Sequence, residues 1–437
     1  MNSAMVAMLA TAATGPSLCT AHAARAHQRS HEGPDQWATA ATARAASVSS
    51  VSDPSPATPV RVGVVGGGQL ALMMGEAARE LPLSLTVLAA RDDDPAVRVA
   101  DAVLVGSARD PEALADLARR VDVVTLDHEL VDLDALAAVE SSGTPVRPGA
   151  AAVRFAADKA HQRQVLGRSG LPLPRFVVVE GTRDPALSAF LAAEGGRVVV
   201  KAATGGYDGR GVYFPTSRDG ALEVVAGLTG PVVVEERLAL RGEAAQLVVR
   251  GVDGAHVAYP LVSTFQAEGT CIEVDFPALG VGAAEAAEAA TLAERIADIV
   301  GAVGVLAVEL FWTDRGWLVN EIALRPHNTG HWTIEGARTS QFANHLRAVA
   351  GLPLGPTDAS ARHVVMVNVL GGDEPHEPPA SRPGLAVHDY AKAWRPGRKI
   401  GHVTATGAHQ AATRVAAWEA ARAWGSREEE PWHSSPS

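Results

Sequence analysis

An open parallel α/β sheet followed by further domains of mixed α and β structure is the fold class that this 437-residue sequence predicts. Three observations predict it. The run Val60-Arg-Val-Gly-Val-Val ends in Gly66-Gly67-Gly68 and leads into Gln69-Leu70: a strand, a glycine turn and a helix in succession. Strand-like and helix-like stretches then alternate to residue 147, the pattern of a parallel sheet covered by helices. The length is that of roughly two to four domains, each able to bury its own core.

In the first helix Leu70, Met73, Met74, Ala77, Ala78 and Leu81 share one face. Leu83–Ala89 reads as the second strand, and Ala100–Gly106, Asp122–Leu126 and Thr144–Arg147 as its successors. Gly66-x-Gly68-x-x-Ala71 fits the dinucleotide fingerprint, in which glycines let the backbone approach a phosphate at a helix N-terminus. A tight strand-to-helix connection needs the same residues, so the turn alone leaves both readings open.

Beyond residue 195 the chain carries nucleotide chemistry without a P-loop signature. The strand Arg197–Lys201 ends in a lysine that is costly to bury unless paired with an anion. Thr204-Gly-Gly-Tyr-Asp-Gly-Arg-Gly211 follows, a loop able to fold over polyphosphate with its N–H groups, or an ordinary turn at Asp208-Gly209. Val232–Val234 ends in Glu235-Glu236, with Glu243 beyond; these acids suit ribose hydroxyls or an adenine amine, or are simply solvated.

Two apolar strands then flank Asp314-Arg315-Gly316, read as a three-residue hairpin loop. About its middle residue, Glu309 and Glu321 are equidistant and face each other. Like charges directly opposite destabilise a sheet, so the pair calls for a cation, and hard oxygen ligands suit Mg²⁺; a satisfied structural pair is the alternative. Asn320 points to the opposite face unless the strand bulges. Arg325-Pro-His327-Asn328 follows at once, a set that suits an anion. His327 and His331 have i,i+4 spacing, but Pro326 and Gly330 argue for a loop and no cysteine accompanies them, against zinc.

A net charge of −11 argues against a general nucleic-acid binder, and two cysteines cannot build a disulfide framework. No run of about 18 apolar residues occurs, so no membrane span is expected. Residues 1–58, rich in Ala, Ser, Thr and His, read as a disordered tail. Met5–Ala13 lacks a preceding basic residue, against a secretory signal, while Arg25, Arg29 and Arg44 in an acid-poor stretch leave a transit peptide open. Residues 426–437 read as a second tail.

Taken together, Gly66-Gly-Gly-Gln-Leu70, Gly205–Gly211, Asn320-Glu-Ile-Ala323, Arg325–Glu335, Tyr390-Ala-Lys392 and Arg395-Pro-Gly-Arg-Lys-Ile-Gly-His402 resemble the N5-carboxyaminoimidazole ribonucleotide synthases, ATP-grasp carboxylases of purine biosynthesis. The resemblance covers roughly Val60 to Gly407. It implies a Rossmann-like N-terminal domain (59–155), an ATP-grasp domain (156–355) with a lid at about 198–262, and a small β-rich C-terminal domain (356–425). It implies ATP and Mg²⁺ as cofactors, 5-aminoimidazole ribonucleotide and bicarbonate as substrates, no nucleic-acid or membrane partner, a cytoplasmic location and a homodimer.

By the same resemblance Lys159 and Lys201 hold ATP phosphates, with Gly206, Gly209 and Gly211 in the loop above them. Glu235, Glu236, Arg237, Leu238, Glu243 and Gln266 surround the nucleoside. Glu309 and Glu321 hold Mg²⁺, with Asn320 beside them. Arg325, His327 and Asn328 cradle bicarbonate, and Asp208 orients or deprotonates the amine. Gln69, Glu129, Tyr207, Arg210, Lys392 and Arg398 take the ribonucleotide, the last two its 5′-phosphate. The sequence departs from the family at Lys159 (commonly Arg), Leu130 (Asn), Gln266 (His), and Ala71 and Ala391 (Gly). Rival readings are another ATP-grasp ligase, a nicotinamide-dependent oxidoreductase resting on Gly66–Ala71 alone, and an ATP-binding protein that has lost catalysis.

Overall fold

A computed structural model describes residues 58–205 and 211–426. Its first sheet is parallel, in the order β3-β2-β1-β4, built from β1 (Val60–Val65), β2 (Leu83–Ala89), β3 (Ala102–Val105) and β4 (Val123–Leu126). The helices α1 (Gln69–Ala78), α2 (Pro111–Arg120), α3 (Leu133–Ser141) and α4 (Ala150–Ala157) connect and cover it. Asp110 and Asp132 each accept an N–H in the first turn of α2 and α3, and Pro111 at the first position of α2 gives up no needed donor. The strand expected at Thr144–Arg147 is reduced to one bridge, Val124 to Val146. Pro145 and Pro148 bracket it and have no N–H to donate to a ladder.

A smaller antiparallel sheet follows, ordered β5-β8-β6-β7. After α5 (Lys159–Arg168) come β5 (Phe176–Val179), α6 (Pro185–Ala193), β6 (Val198–Ala202), β7 (Val212–Tyr213), α7 (Arg218–Gly227) and β8 (Val232–Glu236). This small sheet runs from Phe176 to Glu236, beside the lid bounds of about 198–262 that the resemblance implies. The next strand belongs elsewhere.

That strand, β9 (Gly242–Arg250), pairs along nine positions with β13 (Gly304–Thr313) in a nine-stranded antiparallel sheet. Between them lie β10 (His256–Ala258), β11 (Val262–Ala267), β12 (Thr270–Phe276) and α8 (Ala283–Val300). After β13 come β14 (Gly316–Ala323), the single turn α9 (Thr333–Gly336), α10 (Gln341–Ala350), β15 (His363–Leu370), β16 (Leu385–Asp389), β17 (Lys399–Gly407) and α11 (Gln410–Ala423). The order is β14-β13-β9-β11-β12-β15-β17-β16, with β10 on β9, so the C-terminal strands continue the central sheet. α8 and α10 stop at Gly301 and Gly351, both left-handed. Among the described residues no helix is long and apolar enough to cross a membrane.

Candidate active site

The β13–β14 hairpin sets the acidic centre. Thr313 pairs with Gly316, so the loop is the two residues Asp314-Arg315 rather than three, and Gly316 takes a φ of 85°. By itself that turn would set Glu309 opposite residue 320. The register shifts between Glu309 and Leu310, and Glu309 pairs with Glu321. The expected opposition holds, then, through a shorter turn and a bulge. The bulge has a second effect: two residues of β14 oppose one of β13. Asn320 therefore joins the site, its Nδ2 donating to Glu309 Oε2 (3.3 Å) and its Oδ1 accepting from Lys201 Nζ (3.1 Å).

Burial and the neighbouring Glu321 push the Glu309 carboxyl well above the usual carboxylate range. Burial opposes ionisation of Glu321 too, but Lys159, whose Nζ donates to Oε2 at 2.7 Å, outweighs it and holds that carboxyl low. Among the described residues no group of three or more His, Cys, Asp or Glu is arranged to hold a metal. Glu309 and Glu321 supply hard oxygen donors that fit Mg²⁺ as part of a coordination shell, with phosphate oxygens and water completing it.

The cations stand beside this pair. Lys159 opens α5, where the helix dipole disfavours a positive charge and Glu321 compensates. Lys201, buried on β6, meets Glu235 Oε2 at 2.8 Å. Burial pulls its ammonium below the usual lysine range, against the opposing pull of Glu235. Glu235 also accepts from Arg163 Nε at 2.5 Å, and the two cations bring its carboxyl down to about 2 in spite of burial. Next to it, Glu236 accepts from the Arg175 N–H (2.7 Å) and from Arg315 (2.6 Å) at the hairpin tip. Of the side chains expected around the nucleoside, Glu235 and Glu236 are therefore taken up in ion pairs. Arg237 is exposed and Leu238 half-buried, at a cavity of about 370 Å³ bounded by Arg175, Glu236, Ala239 and Thr313–Arg315. Glu243 and Gln266 are half-buried on β9 and β11, and burial pushes Glu243 up to about 7, Lys201 opposing. Gly206, Tyr207, Asp208, Gly209 and Arg210 lie outside the described residues; Gly205 and Gly211 at their borders both have positive φ.

The segment after β14 is fastened from three directions. Glu129 accepts from the Leu324 N–H (3.1 Å) and Arg325 Nε (2.6 Å), so the carboxylate expected on the ribonucleotide is engaged by Arg325. Gln341, at the start of α10, accepts from the His327 N–H (2.8 Å) and donates to its carbonyl (2.7 Å). Asn328 and Asn368 of β15 exchange two amide hydrogen bonds. The His327 ring lies 3.8 Å from Glu309 Oε1 and bonds Thr329 Oγ1. Burial, with Arg325 nearby, brings its imidazole down to about 4, which leaves it neutral at pH 7.

At the glycine turn the α1 N-terminus is occupied by the chain itself: Asp127 accepts from the N–H groups of Gly68 (2.6 Å) and Ala71 (3.1 Å). Gln69 accepts from Lys392, 323 positions away, and that ammonium lies 5.4 Å from the Tyr390 ring centroid. Arg398 donates to the Ala393 carbonyl (2.8 Å); partial burial and the neighbouring Arg395 and Arg91 lower its guanidinium pKa. The sequence reading missed Arg163, Asp127, Gln341 and Asn368. Only Arg163 carried a local signal, its i,i+4 spacing from Lys159 on one helix face.

Two antiparallel sheets that converge on paired carboxylates and two lysines define an ATP-grasp ligase. Family models agree: the ribonucleotide synthetase preATP-grasp domain matches residues 60–157, the ATP-grasp domain 164–342, and the phosphoribosylaminoimidazole carboxylase C-terminal domain 364–415. The N5-carboxyaminoimidazole ribonucleotide synthase of Mycobacterium tuberculosis is 46% identical over 361 residues, covering 79% of this chain and 83% of its own length. That of Corynebacterium ammoniagenes is 41% identical over 375 residues, covering 82% and 90%. The Aspergillus clavatus synthase in complex with ADP and 5-aminoimidazole ribonucleotide superposes with a TM-score of 0.76 at 30% identity, over 84% of this chain and 99% of that one. The chain belongs to the N5-carboxyaminoimidazole ribonucleotide synthase family, enzymes of purine biosynthesis.

Proposed function

We propose that this chain uses ATP to join bicarbonate to the exocyclic amine of 5-aminoimidazole ribonucleotide, releasing ADP and phosphate. The observation that carries the reading is the opposition of Glu309 and Glu321 across the hairpin, with Lys159 and Lys201 beside them. Bicarbonate carbon has no good leaving group. Attack of a bicarbonate oxygen on the γ-phosphorus expels ADP and gives carboxyphosphate; the amine nitrogen then bonds to its carbon, directly or after release of CO₂, and phosphate departs. Glu309 and Glu321 would hold Mg²⁺, with Asn320 beside them, and the ion when bound would neutralise phosphate charge.

Lys159 and Lys201 bind the phosphates as point charges. Lys159, which neutralises Glu321, also serves the phosphates. Glu235 and Glu236, held by arginines, orient the strand whose backbone runs on through Arg237 and Leu238 to the adenine, while Glu243 and Gln266 line the nucleoside. Arg325 and His327 cradle bicarbonate with Asn328; the neutral imidazole places no second cation against Arg325. Gln69, Lys392 and Arg398, with Glu129 through its hold on Arg325, shape the ribonucleotide end. On the family resemblance, Gly206, Gly209 and Gly211 are assigned to the phosphates, Tyr207 and Arg210 to the imidazole ribonucleotide, and Asp208 to orienting or deprotonating the amine. Excluding water protects carboxyphosphate from hydrolysis. The reading extends, on family resemblance, to a cytoplasmic homodimer.

ADP release is measured with Mg·ATP and bicarbonate, with and without the ribonucleotide. Ribonucleotide-dependent ADP matched by carboxylated product is the expected result; ATP binding without stimulated turnover would sink the reading. Glu321→Ala is expected to abolish turnover, and near-normal activity in that variant would remove the metal assignment.

A further inference from the structure

Arg163 is a 2% exposed cation that contacts no atom the proposed chemistry transforms, yet it joins both sheets of the site. Its Nε donates to Glu235 Oε1 at 2.5 Å, one guanidinium nitrogen donates to the carbonyl of Asn320, and the other to Gln162 Oε1 at 3.1 Å. Glu235 holds Lys201 at 2.8 Å, and Lys201 donates to the Asn320 side chain at 3.1 Å. The contacts close a ring: Arg163, Glu235, Lys201, Asn320 and back to Arg163. It ties α5, β6, β8 and the bulge of β14 to one another.

We infer that Arg163 is a positioning residue for nucleotide binding, which fixes the β14 bulge and the Lys201 ammonium relative to each other. This rests on the proposed reading of the site. A guanidinium suits the task because its planar donors reach two acceptors in different directions, which a single ammonium cannot do without bending its stem. Charge makes the same point. Glu235 is shared between two cations and binds Lys201 only in part; without Arg163 the whole carboxylate is left to Lys201. The ammonium is then drawn back from Asn320 and from phosphate, while the Asn320 carbonyl loses its donor and the bulge its anchor.

The test compares Arg163→Met and Arg163→Lys with the unchanged enzyme. ADP and ribonucleotide affinities are measured by calorimetry, with the melting temperature as the control for folding. The expected result is ADP binding at least tenfold weaker in Arg163→Met, a smaller loss in Arg163→Lys, and ribonucleotide affinity within twofold in both. ADP binding within twofold in Arg163→Met overturns the inference. So does a parallel fall of both affinities with the melting temperature, the mark of a purely structural residue. If Arg163→Met does not fold, Arg163→Lys decides by the same comparison: weaker ADP with intact ribonucleotide binding supports the inference, and unchanged ADP binding overturns it. The ADP comparison needs no turnover, so failure of the unchanged enzyme to carboxylate the ribonucleotide would sink the proposed reaction and leave this test standing.

Discussion

At Asp127 a single carboxylate decides what the glycine turn can bind. Its two oxygens take the Gly68 and Ala71 N–H groups, the donors that a dinucleotide pyrophosphate would use. An added Cβ at Gly68 would lie 2.5 Å from Asp127 Oδ2, so the glycine serves this internal cap. Asp127→Ala strands two donors at a buried helix end and is expected to cost ~1–3 kcal/mol. A shift of the urea midpoint to lower concentration at unchanged slope checks this; an unchanged midpoint would show that water replaces the cap without loss. Lys159 is a departure from the resemblance at the same scale. It lacks the fork of arginine, yet its ammonium still reaches Glu321 at 2.7 Å.

Among the elements, the β13–β14 hairpin and the segment behind it matter most. Arg163 holds the hairpin at the bulge and Arg315 at the tip, each through one of the adjacent residues Glu235 and Glu236. The segment from Arg325 to Asn328 has little regular structure of its own and is held by Glu129, Gln341 and Asn368, from three separate parts of the chain. Gln341→Leu leaves the His327 N–H unpaired and its carbonyl with the Gly330 N–H alone, which lets the ring drift from Glu309. Misplacement of a reacting group by about 1 Å costs up to ~100-fold in rate, so a fall of about 10- to 100-fold in kcat is expected, with ATP affinity nearly unchanged. Steady-state kinetics on the variant check it; loss of ATP affinity at full kcat would contradict it.

Across the whole molecule the parallel sheet and the central sheet meet through His345 on α10. Its Nδ1 accepts from the Val305 N–H on β13 (3.1 Å), and Nε2 faces Thr125 Oγ1 on β4 (2.8 Å). Burial lowers its imidazole to about 3. The unfolded chain takes up this proton near pH 6.5 while the folded one resists it, so the unfolded state binds more protons below that pH. The contribution is complete above about pH 6.5 and is lost progressively as pH falls toward 3. His331 and His402, lowered by burial as well, act in the same direction. Urea midpoints at pH 7.0 and 5.0 are expected to differ in favour of pH 7.0, and His345→Gln is expected to narrow the gap; a gap of the same width in that variant would assign the acid sensitivity to other groups.

The local pattern of the sequence was enough to define the parallel sheet, the turn into α1, the acidic hairpin and the family motifs, because periodicity and turn chemistry depend on near neighbours. Even there, a shorter turn and a bulge at Asn320 changed the route by which Glu309 meets Glu321. Tertiary structure alone decided which polar side chain meets which. Arg163 with Glu235, Glu129 with Arg325, and Gln69 with Lys392 are separated by 72, 196 and 323 positions. It also decided that β15, β16 and β17 extend the central sheet. A strand's sequence states that its edges and one or both faces must be covered; the partner that covers them is settled by packing across the chain, where no local signal reaches.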